Sequence, residues 1–123
     1  MYKKDWIMDQ IQTIIDLLGR VLLNKDNPTY DISKMDTLSQ EDELYLQLDT
    51  LLKDGKINEA ENLLFDTLDG HNMKELSIAL DFYNKLNRFE EDYLRANNFS
   101  HDEIEEGLHD IMQLYGINMD IPM

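Results

Sequence analysis

The chain contains no cysteine among its 123 residues, which excludes a disulfide framework, thiolate chemistry and any zinc site built on sulfur. A reducing, cytoplasmic setting fits that absence. Proline and glycine are scarce, with two and five copies, so few positions can interrupt a helix. No stretch alternates with period two, and no sheet is expected. Long apolar runs are missing as well. Asp9, Gln10, Gln12 and Asp16 break up the residues that follow Lys3 and Lys4, so neither an export signal nor a membrane span is expected. Lys and Arg disappear altogether after Arg95.

Acidic residues are abundant, and the formal net charge is −15. A polyphosphate backbone or an anionic membrane surface would be repelled by such a chain, so the expected partners include no nucleic acid and no membrane. The charge is uneven. Residues 1–25 hold Lys3, Lys4, Arg20 and Lys25 against Asp5, Asp9 and Asp16, a net of +1, which leaves −16 on the remainder.

The apolar residues resolve into helical stripes within a single domain. Ile7, Ile11, Ile14, Leu18 and Val21 recur at steps of four, three, four and three, flanked by Met8, Ile15 and Leu22, and predict an amphipathic N-terminal helix over residues 1–24. Pro28 and its polar neighbours predict a linker over 25–38. Ser39, with Asp42 at the capping-box position, opens a second helix that carries Leu44, Leu48, Leu51 and Leu52 and ends at Gly55. Ile57, Ala60, Leu64 and Leu68 mark a third, closing near Gly70. A long fourth helix is expected from Asn72 to Asn97, with apolar residues on several faces. A fifth follows Ser100, an expected N-cap, with Ile104, Leu108, Ile111 and Tyr115 as its stripe before Gly116. Residues 39–70 thus form a helical hairpin, 71–116 a helix pair and 117–123 a tail.

The run LLKDGKINEAENLLFDTL, from Leu51 to Leu68, resembles a tetratricopeptide repeat. Gly55 stands at the turn, and Ile57, Ala60 and Leu64 place medium, small and large apolar residues where two antiparallel helices approach. The repeat's Trp/Leu-Gly pair is absent, Asn72 occupies the closing Pro position, and no clean second copy follows. The opening YKKDWIMDQIQTIIDLLGRVLLNK, with LLKDGKINEAENLL after it, is similar to a family of small bacterial all-helical proteins of unknown function. Asp5, Ile11, Leu18, Leu22, Gly55 and Ala60 carry that resemblance. It implies a five-helix, right-handed tetratricopeptide-like hairpin array with the N-terminal helix as an extra layer. It implies no catalytic residue and no cofactor.

Candidate chemistry is sparse. His101, Glu105 and His109 follow at four-residue steps, and Glu106 with His109 forms a Glu-x-x-His pair, the kind of spacing that can converge on a divalent ion. A second such pair is missing, and the periodicity puts His101 and Glu105 on the polar face. No nucleophile elbow or phosphate loop is present. His71 sits at a helix boundary, and Glu90, Glu91 and Asp92 are consecutive and point apart, so no acid/base dyad is expected. The chain therefore reads as a non-enzyme. On the second helix, Glu41, Asp42, Glu43 and Asp49, with Tyr45 and Gln47, would colour a groove for a basic or apolar peptide. The apolar supply of the first helix exceeds one packing stripe. This predicts a homodimer through Ile7, Met8, Ile11, Ile14, Ile15, Leu18 and Leu22, with Ile7, Ile11, Ile14 and Leu18 facing one neighbour and Met8, Ile15 and Leu22 another. Self-association or another protein partner is the expected role, and a metal-binding helical protein is the alternative.

Overall fold

A computed structural model describes residues 3–23, 30 and 38–117. All regular structure among these residues is helical. The elements are α1 (Lys3–Leu23), α2 (Gln40–Lys53), α3 (Ile57–Thr67), α4 (Met73–Arg88), α5 (Glu91–Ala96) and α6 (His101–Leu114). Apart from Tyr30 and Leu38, the expected linker lies outside the described residues, as does the tail beyond Ile117.

Helix boundaries follow local chemistry. Ser39 caps α2 through a reciprocal pair: its hydroxyl accepts from the Asp42 N–H at 3.1 Å, and Asp42 accepts from the Ser39 N–H at 3.1 Å. At the far end, Gly55 takes φ +76°. The Lys56 N–H reaches back to the Leu51 carbonyl at 2.9 Å and the Gly55 N–H to Leu52 at 3.0 Å, the two bonds of a Schellman stop. α4 is capped by Asn72, whose side chain accepts from the N–H groups of Lys74 and Glu75. Ser100 occupies the N-cap of α6 as expected but makes no cap bond to the backbone. Its hydroxyl instead donates to Glu103 Oε2 at 3.3 Å.

The helix expected to run from Asn72 to Asn97 is two helices, giving six in place of five among the described residues. Phe89 (ψ 144°) and Glu90 (ψ 151°) are extended and separate α4 from α5. Lys85 and Arg88 lie in the last turn of α4, and Glu91 and Asp92 in the first turn of α5. Each set complements the partial charge of its helix end, so the break is electrostatically favourable without glycine or proline. Asn98, at φ 60°, then ends α5, with the Phe99 N–H bonded to the Leu94 carbonyl.

α4 is the hub. It packs against α1, α2 and α6, while α2 packs against α3 and α1 also reaches α6. Ala60 is fully buried in the α2/α3 hairpin, where its small side chain was expected. Leu76, Ala79, Leu80, Tyr83 and Leu86 fill the centre with no exposed surface. α1 lays Ile11, Ile14, Ile15 and Leu18 onto this core. Val21, read as part of the same stripe, is 58% exposed. The buried face continues through Ile15, one step around the helix, with Leu22 half-buried beyond it.

Candidate functional site

Most polar groups between helices are engaged in holding the fold. On α2, Asp42 also accepts the Tyr30 hydroxyl at 2.6 Å, and Glu41 accepts the Asn72 amide at 3.0 Å. Lys85 of α4 contacts Asp49 and Asp81, donates to the Tyr45 hydroxyl at 2.9 Å and sits 4.3 Å from the Tyr45 ring centroid. Burial works against the Lys85 ammonium, but Tyr45 and Asp81 outweigh it and leave the group above its ordinary value. Burial and the bond to Asp42 push Tyr30 up to about 12. The acidic residues expected to colour a peptide groove are therefore largely tied to neighbours within the chain. What α2 leaves open is an apolar depression of about 440 Å³, lined by Leu46, Gln47, Thr50 and Leu51 with Leu63 of α3.

A second seam joins α3, α4 and α6. Tyr83 is fully buried and donates its hydroxyl to Glu61 at 2.6 Å. Gly107 faces that hydroxyl, and a Cβ there would overlap it. Burial raises Tyr83 and also raises Glu61, against the pull of the Tyr83 hydroxyl. The arrangement satisfies a phenol and a carboxylate at a helix crossing, with glycine making the room.

The four metal candidates on α6 do not come together. His101 was read onto the polar face, yet it is buried, because α6 turns that side toward α1 and α5. Glu105 is half-buried and accepts from Gln10 at 3.4 Å, while Glu106 and His109 are exposed. Among the described residues no group of three or more His, Cys, Asp or Glu side chains is arranged to hold a metal ion. His71 is also exposed, and its N–H bonds to Asp69.

The expected dimer residues face inward. Ile11, Ile14, Ile15 and Leu18 are buried within the chain, and Ile7, Met8 and Leu22 are half-buried. α4 and α6 both pack on α1, covering Ile11, Ile14, Ile15 and Leu18 fully and Ile7, Met8 and Leu22 in part. What is left over lies around the helix from these seams: Trp6, Thr13 and Val21 are exposed, Trp6 to 64%, with Gln10 and Leu17 half-buried between them at steps of four, three, four and four. The interrupting Gln10 and Thr13 were the signal for an outer face; the wide apolar supply concealed it.

Trp6 also borders a cleft of about 360 Å³ between α1, α5 and α6, lined further by Ile7, Glu91, Arg95 and the start of α6. Local patterns could not reveal it, since it joins the two ends of the sequence. No helix among the described residues is long and apolar enough to cross a membrane.

With this geometry established, comparison with known proteins adds the family. The chain matches the family of unknown function DUF6483 over residues 1–116 and belongs to it. No curated protein and no solved structure matches it.

Proposed function

We propose that this chain is a non-enzymatic protein–protein interaction or assembly module, built around a tetratricopeptide-like α2/α3 hairpin and self-associating through the outer face of α1. The observation that carries the reading is the stripe with Trp6 and Val21, which are 64% and 58% exposed. Large apolar side chains left in water on one helix face favour a partner surface. Charge supports the choice of helix. Residues 1–25 are at +1 while the remainder is at −16, so two copies approach with least repulsion where α1 meets α1. A two-fold arrangement lets the same stripe serve both copies.

Light scattering on Trp6→Glu and Val21→Glu tests this reading, with Leu46→Glu on the α2/α3 depression as the control. The two α1 variants are expected to be folded monomers, and the control to associate as the wild type does. Loss of association in the control alone would transfer the interface to α2/α3.

A further inference from the structure

The depression on the α2/α3 hairpin is apolar surface that the core does not use. α2 turns Leu44, Leu48 and Leu52 inward, where they are buried. Leu46 and Leu51 lie on another side of the helix and are half-buried, as is Leu63 of α3, while Gln47 and Thr50 are exposed. These five residues wall a hollow of about 440 Å³. Carboxylates stand around it. Glu43 precedes Leu46 and Gln47 by one turn, Asp54 follows Thr50 and Leu51 by one turn, and Glu59 and Asp66 lie one turn to either side of Leu63. All four are exposed, and none forms an ion pair among the described residues. Lys53 and Lys56 stand at the hairpin turn, but Lys53 is held by Asp49 at 3.1 Å, so the rim keeps an acidic balance.

We propose that this depression docks an amphipathic helix of a partner protein, one that sets two aliphatic side chains a turn apart into the hollow and carries Lys or Arg on its flanks. Leu46 to Leu51 spans about 7.5 Å along α2, room for anchors at i and i+4 of a docked helix. Glu43 and Asp54 stand about 16 Å apart along the same axis, so a partner helix of about three turns meets carboxylates at both ends. Charge selects the sign of its flanks. Basic residues complement the rim and are drawn by the net charge of −15, whereas acidic ones are repelled. A second copy presenting this same face would bring four more carboxylates against the four already there. The site lies apart from the outer stripe of α1 and does not depend on self-association, because all of its walls come from α2 and α3 of one chain.

Fluorescence anisotropy tests this with a labelled leucine/lysine peptide of about 14 residues, its leucines at i, i+3, i+4 and i+7. A scrambled peptide of the same composition and a leucine/glutamate peptide of the same pattern are its controls. Saturable binding is expected for the patterned leucine/lysine peptide, weakening as salt is added. The scrambled peptide is expected to bind about tenfold less tightly or worse, and the glutamate peptide not to bind. Gln47→Arg puts a cation on an exposed wall position and is expected to cut the affinity about tenfold, as is Leu46→Gln; where Leu46→Gln does not fold, Gln47→Arg decides. Glu90→Gln with Asp92→Asn, which neutralises two exposed carboxylates outside the depression, is expected to stay within about twofold, and Trp6→Glu to bind as the wild type does. No saturable binding, equal binding of the scrambled peptide, unchanged binding by folded Gln47→Arg, or loss of binding in Trp6→Glu overturns the site. Light scattering on Gln47→Arg separates the remaining occupant. Self-association as in the wild type supports a foreign helix in the depression, and its loss assigns the depression to a second copy and overturns the proposal.

Discussion

α1 and α4 pack against each other, and they solve opposite problems. α1 has more aliphatic surface than its neighbours can cover, so one side is buried and Trp6 and Val21 remain in water. α4 is covered all round and must bury polar groups: Ser77, Asp81, Asn84 and Asn87 are all within 5% of full burial. These find partners both off the helix and along it: the Asn87 amide donates to the Met8 carbonyl of α1 at 2.8 Å, and Asp81 pairs with Lys85 one turn on in α4. The difference teaches that stability is concentrated in α4, whereas α1 divides its residues between the core and an outer surface.

The largest expected effect contrasts the two directly. Leu80→Ala in α4 removes a side chain with no exposed surface and is expected to cost about 2–5 kcal/mol. Val21→Ala on the outer face of α1 is expected to stay within about 0.5 kcal/mol. Urea unfolding of dilute samples measures both, and equal losses would break the contrast. Next in size is Gly107→Ala, which forces a methyl against the Tyr83 hydroxyl and is expected to destabilise by about 1–3 kcal/mol. Tyr83→Leu, which removes the overlapping oxygen and ring carbons together, is expected to lower the further cost of Gly107→Ala; strictly additive losses would show that the two do not meet.

A smaller effect concerns pH. Burial holds Glu61 above its ordinary 4.5 and Asp81 above its ordinary 3.8. The folded chain therefore binds these protons more tightly than the unfolded chain does. The stability they confer is fully present below the unfolded values and is lost as pH rises through the raised folded ones. Asp42 and Asp69 behave oppositely. The Tyr30 hydroxyl and Ser39 N–H lower Asp42, and the N–H groups of His71 and Asn72 lower Asp69, so their contribution is present above 3.8 and lost as pH falls. The unfolding temperature is expected to rise as pH drops from neutral through the raised values of Glu61 and Asp81, then to fall in stronger acid as Asp42 and Asp69 protonate. Glu61→Gln keeps an acceptor for Tyr83, and is expected to raise the neutral-pH unfolding temperature slightly and flatten the rise. A variant less stable at neutral pH would show that the ionised carboxylate is preferred there.

Much of the fold was legible because helix signals are local. Ser39 with Asp42, Gly55, and the stripes through Leu44, Ala60 and Ile104 each act within one or two turns, and the structure places them as read. The split at Phe89 was also written locally, as Lys85 and Arg88 followed by Glu90, Glu91 and Asp92. It was overlooked because apolar residues continue through Leu86, Tyr93 and Leu94 without a glycine or proline. The site was less legible. Periodicity shows that α1 has an apolar excess, but which side remains depends on where α4 and α6 dock. His101 looked polar-facing because its own helix has acidic residues beside it; its burial comes from α1 and α5, which no pattern along α6 can reveal.

Sedimentation velocity of the wild-type chain over a range of concentrations, alongside Trp6→Glu, tests self-association through α1 most directly. A concentration-dependent monomer–dimer equilibrium is expected for the wild type, and a folded monomer with nearly unchanged stability for the variant. A wild-type chain that sediments as a monomer at high micromolar concentration would contradict it.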